Sequence, residues 1–332
     1  MRPKRGKTMT GRHPDADTVR AALALAVRAP SIHNSQPWQW RVGDTTVHLY
    51  LDDDRRLRHT DPDNRDLLIS CGAALHHFRV AARSFGWHTV VHRLPNPDDP
   101  RHLAAVEFVP ITPTADVVSM ARAIEDRRSD RRRLTSWEVP APFVTAMAAA
   151  GAAEGAQVSE IPGGSTRIRL IEAFREAAAA HRADPGYQDE LARWSGRHAD
   201  SEGVPARNAV LSPDPLTREF HASTLTETAI GDLDEHGSLM LVHTGSDDKL
   251  SRLRAGEATS AVLLSATVYG LATCPLTEPL ELPGTRELLR ADVLSDSGFP
   301  QLVVRVGWAA TSAADLPATP RRALAEVVRP LE

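Results

Sequence analysis

The 332-residue sequence is poor in the features that mark secreted, membrane and metal-binding proteins. Its two cysteines, Cys71 and Cys274, allow at most one disulfide, and we expect each to be a small buried hydrophobic residue. No apolar run approaches the ~20 residues that a membrane helix needs. The sequence has no Cys-x-x-Cys, helical His-x-x-x-His, Gly-x-Gly-x-x-Gly or Gly-x-Ser-x-Gly motif. It therefore gives no support for a zinc site, a Rossmann dinucleotide site or a serine-hydrolase elbow.

Charge is balanced along the chain and is not concentrated in one region. The net charge is −4, 25% of residues are charged and 42% are hydrophobic, which is the composition of a soluble globular protein. Such a balance gives no general attraction to nucleic acid or to an anionic membrane. Residues 1–16 are basic and no apolar stretch follows them. We therefore expect a disordered tail and no secretory signal, with a cytoplasmic location.

Apolar periodicity predicts helices and strands in the first third of the chain. A helix over residues 17–29 would have Asp17 as its N-cap and end before Pro30. A longer helix over residues 64–85 would end at Gly86, since glycine suits the left-handed position after a helix. Four predicted strands complete this part: Trp38–Val42 and Val47–Leu51, joined by a turn at Gly43-Asp44, then Trp87–Leu94 and Leu103–Val109.

The same pattern recurs later with a constant offset. A helix over residues 249–269 ends at Gly270, and a strand over Leu302–Trp308 follows. The offset of 184 that separates Gly72 from Gly256 also relates Ala74 to Ala258, Ala82 to Ala266 and Gly86 to Gly270. We infer a duplicated α+β unit whose two long helices pack together, like a dimer joined into one chain. The units would span residues 17–112 and 113–332, the second with an irregular lid at about 195–237.

Two polar stretches are candidates for chemistry. Residues 29–38 read APSIHNSQPW, in which two prolines bracket short polar side chains between apolar segments. We expect the prolines to keep this segment extended. Residues 127–133 contain five arginines around Ser129, and guanidinium groups bind a phosphate dianion in bidentate fashion. Taken alone, the arginines are more simply a solvated surface that pairs with nearby carboxylates. A nucleic-acid site is a third interpretation, which the net charge and the lack of interleaved aromatic residues disfavour.

Both stretches resemble motifs of the nitroreductase family. APSIHNSQPW is similar to its Pro-Ser-x-x-Asn-x-Gln-Pro-Trp signature, and RRSDRRR is similar to its Arg-Arg-Ser-x-Arg phosphate motif. GEATSAVLLSATVYGLATCPLTEPLEL resembles the family's central helix and its flavin-contacting loop. The similarity spans about residues 17–328 and points to the Acg-type branch, in which two units are fused. It implies an α+β, nitroreductase-like fold with two fused units that form a pseudo-dimer and bind FMN between them.

The resemblance implies thirteen FMN-binding residues. Those expected to hold the phosphate and ribityl chain are Arg127, Arg128, Ser129 and Arg131, the last also being a candidate for positive charge near N1 and O2. Those expected to border the ring from the other unit are Pro30, Ser31, Ile32 and Asn34. Those expected near N5 are Pro275, Leu276, Thr277 and Glu278. Arg321 matches a C-terminal cation near the phosphate, with Arg322 as a one-residue alternative. No catalytic residue is implied, because the flavin carries the chemistry.

Each unit has kept a different half of the family's composite site. The first unit has no arginine motif before residue 17, where the sequence reads TGRHPDADT. The second unit reads AAAGAAEGAQVSEI where the Pro-Ser signature would follow its arginines. The two remaining halves would join across the pseudo-two-fold axis into one complete site. We therefore predict one FMN per chain.

Two functions follow from the resemblance. One is hydride transfer from NAD(P)H, through FMN, to a nitroaromatic or quinone-type acceptor. The other is storage or sequestration of FMN beneath the lid, with little or no catalysis. Both involve small molecules only, without nucleic acid, membrane or metal. A monomer would suffice for either function, because fusion of the two units makes the dimer interface internal.

Overall fold

The computed structural model describes residues 13–197, 202–212, 214–227 and 237–331. These residues form two main sheets, each packed on a long helix, and a small two-stranded sheet of residues 195–197 and 204–205. Most of the predicted N-terminal tail lies outside the described residues, as do residues 198–201, 213 and 228–236 of the predicted lid. Among the described residues, no helix combines the length and the apolar character required to cross a bilayer.

The first part of the chain builds one sheet around a buried helix. Its elements in chain order are α1 (Ala16–Ala26), β1 (Trp38–Val42), β2 (Val47–Leu51), α2 (Arg65–Ser84), β3 (Trp87–Arg93) and β4 (His102–Pro110). The strands lie in the order β1-β2-β4-β3, and every neighbouring pair is antiparallel. Trp38, Trp40 and Phe78 are fully buried where this sheet packs on α2.

The rest of the chain repeats this arrangement with additions. Its elements are α3 (Ala115–Asp126), α4 (Ala141–Ala152), β5 (Gln157–Glu160), α5 (Ser165–Ala183), α6 (Pro185–Arg193), β6 (Ser195–Arg197), β7 (Val204–Pro205), β8 (Ser238–Thr244), α7 (Lys249–Val268), β9 (Ala272–Leu276), α8 (Glu278–Glu281), α9 (Pro283–Asp292), β10 (Phe299–Gly307), α10 (Leu324–Val327) and β11 (Val328–Pro330). The second sheet has the order β5-β8-β10-β9, again antiparallel throughout.

The two sheets have the same topology. In each, a helix precedes the first strand, a long helix follows the second strand, and the fourth strand in chain order lies between the second and the third. The repeat inferred from the constant offset is therefore present in the fold. The predicted boundary at residues 112–113 falls in the connection between β4 and α3. The C-terminal β11 returns to the first sheet, where it pairs in parallel with β1.

The long helices α2 and α7 cross at two glycines. A Cβ on Gly72 would lie 2.0 Å from the carbonyl oxygen of Leu253, and a Cβ on Gly256 would lie 2.0 Å from that of Ile69. The two contacts are reciprocal, because Ile69 and Leu253 are themselves related by the offset of 184. Only glycine allows the two backbones to approach so closely. One turn further on, Ser260 contacts Nδ1 of His76 and of His77 at 2.7 and 2.8 Å.

Most first-unit elements match the prediction, and the differences have local causes. The hairpin strands have the predicted bounds, and Gly86 and Gly270 have φ values of +91° and +75°. The N-cap of α1 is Asp15, whose carboxylate accepts from the backbone N–H of Thr18, so the assignment to Asp17 was wrong. That helix ends at Ala26, before the predicted stop. Both cysteines are buried and unbridged, as expected.

Candidate functional site

A cavity lies where the two units meet. About 870 Å³ of space not filled by atoms lies within it, the open solvent at its mouth included. One wall comes from the first unit, namely the segment after α1 and one face of α2, and the opposite wall comes from the segment after α3 and from β9. Nine of the thirteen predicted residues line it: Pro30, Ser31, Ile32, Ser129, Arg131, Pro275, Leu276, Thr277 and Glu278.

The segment after α1 is a tight turn, although we expected its prolines to keep it extended. Residues 32–34 form a 3₁₀ turn, and His33, Asn34 and Gln36 all have φ values near +50°. Hydrogen bonds hold this unusual backbone: the N–H of Gln36 donates to Ser31 Oγ at 3.0 Å, and the N–H of Ile32 donates to Ser70 Oγ at 3.1 Å. The second bond fixes the turn to α2. The corresponding connection in the second unit, residues 153–156, is too short for such a turn.

Asn34 does not line the cavity. It is 7% exposed, and its Nδ2 donates to the carbonyl oxygens of Gly203 and Pro320 at 3.0 and 3.2 Å. This amide therefore joins the turn to the predicted lid and to the C-terminal segment. The described contacts give Asn34 a role in organising the cavity wall, and its predicted contact with a flavin stays a prediction.

The remaining three predicted residues lie in a smaller cleft. Arg127, Arg128 and Arg321 line it together with Arg28, which sequence reasoning missed, and none of its described lining residues is acidic. Burial and the neighbouring guanidinium groups lower the pKa of Arg127 to about 10 and that of Arg321 to about 9. Buried cations without a counterion are costly. The cleft thus has the charge and the donors of an anion site.

The cleft and the cavity share the same two segments. Arg28 precedes Pro30 by two residues, and Arg128 is followed directly by the cavity residue Ser129. Ser129 forms a parallel bridge with Thr273, which extends the edge of β9. Residues of the cleft and of the cavity are therefore neighbours along the same two segments.

The arginines of the cleft differ in how many donors are already engaged. Arg321 donates all five N–H groups to carbonyl oxygens, three of which belong to residues 27–29 just after α1, at 2.9 to 3.1 Å. In Arg127, Nε and Nη1 are buried and bond to no described residue. Arg321 can thus contribute charge, while Arg127 can contribute charge and hydrogen bonds. Arg322, the alternative to Arg321, instead bonds to Gln36 and Asp52 outside the cleft.

The expected pairing of the arginine run with carboxylates holds for one member. Nε and Nη2 of Arg132 donate to the two carboxylate oxygens of Asp130 at 2.9 and 2.8 Å. Arg131 points the other way, into the cavity, where its guanidinium lies 5.0 Å from the ring centre of Phe220 and donates to the carbonyl oxygen of Asn208. The run is therefore divided between a structural ion pair and the site.

Part of the predicted lid forms the outer wall of the cavity. Leu216, Thr217, Arg218 and Phe220 line it, and Arg218 was not foreseen. The Arg218 guanidinium donates to the hydroxyl of Tyr187 at 2.6 Å and to Thr277 Oγ1 at 3.3 Å, and it pairs with the buried carboxylate of Glu281. An arginine from the irregular segment is thus anchored to the second unit. No periodicity marks such a residue, so a sequence pattern could not have found it.

Side chains fill the position related to the cavity by the internal symmetry. The offset of 184 relates the cavity residues Ala73 and Thr277 to Glu257 and Arg93. Glu257 is fully buried, and Arg93 donates from Nε and Nη2 to its two oxygens at 2.7 and 2.8 Å. Arg79 donates to the same carboxylate at 2.8 Å. The cavity is therefore built on one side of the pseudo-two-fold axis and replaced by an ion-pair cluster on the other.

Comparison with known proteins gives relatives over nearly the whole chain, although no family model matches it. The putative NAD(P)H nitroreductase Rv3131 of Mycobacterium tuberculosis is 46% identical over 325 residues, which cover 96% of this chain and 93% of that protein. The putative NAD(P)H nitroreductase acg of the same organism is 38% identical over 323 residues, covering 94% of this chain and 95% of that protein.

Solved structures of nitroreductases also match the fold in part. The FMN-dependent nitroreductase NfnB from Mycobacterium smegmatis, in complex with NADPH, covers 64% of this chain and 98% of its own, with 17% identity and a TM-score of 0.41. A nitroreductase with bound FMN from Bacteroides fragilis covers 59% of this chain and 90% of its own, with 16% identity and a TM-score of 0.37.

The difference between Arg127 and Arg321 predicts opposite effects on the ligand-free protein. We expect Arg127→Met to raise the free energy of unfolding by about 2 kcal/mol, because it removes a buried charge that has no counterion among the described residues. Arg321→Met should lower it by about 2 kcal/mol, because it removes the donors from the carbonyl groups after α1. Urea denaturation of flavin-free protein measures both. Equal destabilisation by the two substitutions would show that Arg127 is as fully engaged as Arg321.

Proposed function

The chain belongs to the nitroreductase family, in the branch of the putative NAD(P)H nitroreductases Rv3131 and acg, and from that premise we propose that it is an FMN-dependent oxidoreductase. When bound, FMN would supply the hydride-transfer chemistry between NAD(P)H and a nitroaromatic or quinone-type acceptor. The observation that carries the proposal is the basic cleft, in which Nε and Nη1 of the buried Arg127 bond to no described residue, together with a cavity that both units line.

The chain's residues fit the parts of FMN. Arg127 and Arg128 would hold the phosphate, with added charge from Arg28 and Arg321, and Ser129 would hold the ribityl chain. Residues 30–32 and 275–277 provide two walls of the cavity for the isoalloxazine ring. Arg131, the candidate for charge near N1 and O2, is in the cavity and is oriented by Phe220 and Asn208. The protein would thus orient the ring, keep water from one side of it and place positive charge beside it.

One FMN per chain follows from the asymmetry of the two units. The second position would need space where Arg93 and Glu257 form their ion pair. It would also need a Pro-Ser turn, which the short connection between α4 and β5 does not provide. The negative charge of the buried Glu257 carboxylate also disfavours an anionic cofactor at this second position. We therefore propose a single flavin site formed by both units.

Sequestration of FMN is the second candidate function, and the position of the irregular segment favours it. Residues 216–220 line the cavity, and Arg218 is bound by three partners on the body of the second unit. A cover held in this way would keep a nicotinamide ring from stacking on the flavin. The lid would then decide whether the flavin turns over or is only stored.

The phosphate assignment predicts a preference for FMN over riboflavin. We expect FMN to bind at least tenfold more tightly, since charge-assisted hydrogen bonds contribute about 1.5–3 kcal/mol each. Arg128→Ala should remove most of this preference and leave the affinity for riboflavin unchanged. Arg133→Ala is the matched control, because Arg133 belongs to the same run but does not line the cleft. Equal binding of FMN and riboflavin by the unsubstituted protein, measured by flavin fluorescence titration, would contradict the assignment.

Anaerobic rapid mixing with NADPH or NADH separates turnover from sequestration. If the protein is an oxidoreductase, the absorbance band of its oxidised flavin will bleach within seconds. If it sequesters FMN, the band will persist for minutes although dithionite still bleaches it. We expect Arg218→Gln to accelerate bleaching in either case, because it releases the lid from Glu281. The control is Arg207→Gln, at an exposed arginine of the same segment. Unchanged bleaching in Arg218→Gln would show that Arg218 does not control access.

A further inference from the structure

Asp66 is a buried carboxyl group in the cavity that the proposed function has not used. It lies in the first turn of α2 and shares one helical face with Ile69, Ser70 and Ala73, all of which line the cavity. Its side chain is 2% exposed, and neither carboxyl oxygen has a hydrogen-bond partner among the described residues. A buried polar group in this condition needs an explanation.

The charges around Asp66 do not supply a cation for it alone. Nη2 of Arg65 lies 2.7 Å from Oδ1 of Asp66 as an ion pair, but no N–H is aligned for a hydrogen bond. The same guanidinium also attracts the carboxylate of Asp61. Of the other two charged groups that face Asp66, Arg218 is paired with Glu281. Arg65 thus acts on both Asp61 and Asp66, and Arg252 also acts on Asp61. Burial disfavours ionisation of both carboxyl groups, so the one that is less stabilised as an anion keeps its proton to higher pH.

The hydrogen bonds decide which of the two carries it. Asp61 accepts the backbone N–H groups of Asp66 and Leu67 at 3.0 and 2.8 Å, which favours its ionised form. Burial nevertheless raises the pKa of Asp61 to about 6. The carboxyl oxygens of Asp66 accept no hydrogen bond from the described residues, and burial raises its pKa well above the ordinary value. The proton therefore belongs to Asp66, which then has an O–H to donate.

We propose that Asp66 is a neutral carboxylic acid that donates a hydrogen bond to an acceptor atom of the FMN bound in the cavity. The inference rests on the proposed function. The flavin ring and the ribityl chain offer carbonyl oxygens, ring nitrogens and hydroxyl oxygens as acceptors. Asp66 is thus a positioning residue, held against the Pro-Ser turn because Ser70 Oγ, which accepts from Ile32, donates to the carbonyl oxygen of Asp66 at 2.6 Å.

FMN titrations of the full chain test the donor directly. Asp66→Asn keeps an N–H donor and should retain the wild-type affinity, while Asp66→Ala should bind FMN about tenfold more weakly, as expected for one lost hydrogen bond. The affinity of the wild type should fall as the pH rises, because ionisation of Asp66 replaces the donor with a negative charge; that of Asp66→Asn should not change. Asp63→Asn is the control. Asp63 is an exposed carboxylate in the loop before α2, and it pairs with Arg252.

A second readout needs no flavin. The infrared spectrum of the wild type should contain the C=O band of a protonated buried carboxyl group, and the spectrum of Asp66→Asn should lack it. The absence of this band from the wild type would overturn the proposal, as would wild-type FMN affinity in Asp66→Ala. Either result would leave the proposed function intact if the wild type binds FMN. A wild type that binds no FMN would overturn both.

Asp66→Asn and Asp66→Ala should each become more stable relative to the wild type as the pH rises. The raised pKa of Asp66 means that the folded chain keeps a proton that the unfolded chain releases, so stability is lost as the pH rises above about 4. If Asp66 had only a structural role, stability would change with pH in this way, but Asp66→Asn and Asp66→Ala would bind FMN equally well.

Discussion

The close contact between Gly72 and Gly256 is the constraint on which the rest of the structure depends. It sets the separation of α2 and α7, and each of these helices carries one of the two sheets. With the helices at this distance, the Pro-Ser turn of the first unit faces the arginine segment and β9 of the second. A larger residue at either glycine would move the two halves of the cavity apart, since each Cβ would meet a backbone oxygen.

Symmetry builds two equivalent positions, and buried charge makes them different. On one side four arginines gather, and none of the described lining residues is a carboxylate, which favours an anion. On the other, Glu257 takes hydrogen bonds from Arg79 and Arg93 and occupies the space. In a dimer of identical chains both positions would have to be sites or neither could be. Fusion of the units into one chain allows one position to bind a ligand and the other to hold the units together.

Sequence patterns predicted the repeated elements well, because apolar periodicity and terminal glycines are local signals. The bounds of the first hairpin and the turns at Gly86 and Gly270 show this. The motifs also placed most predicted site residues at the cavity or the cleft. The sequence patterns did not predict Asp66 and Arg218 as site residues, because their roles depend on burial and on partners far away in sequence. The turn at residues 32–36 was mistaken for an extended strand because its left-handed backbone is held by side chains such as Ser70.

The two fused units together form the single flavin site that we propose. The number of FMN molecules bound per chain at saturation tests this, measured from the flavin absorbance and an independent protein concentration after removal of free FMN. We predict a ratio of one, unchanged at higher FMN concentrations. A ratio near two would show that the ion pair of Arg93 and Glu257 does not close the second position, and a ratio of zero would show that the basic cleft serves another ligand.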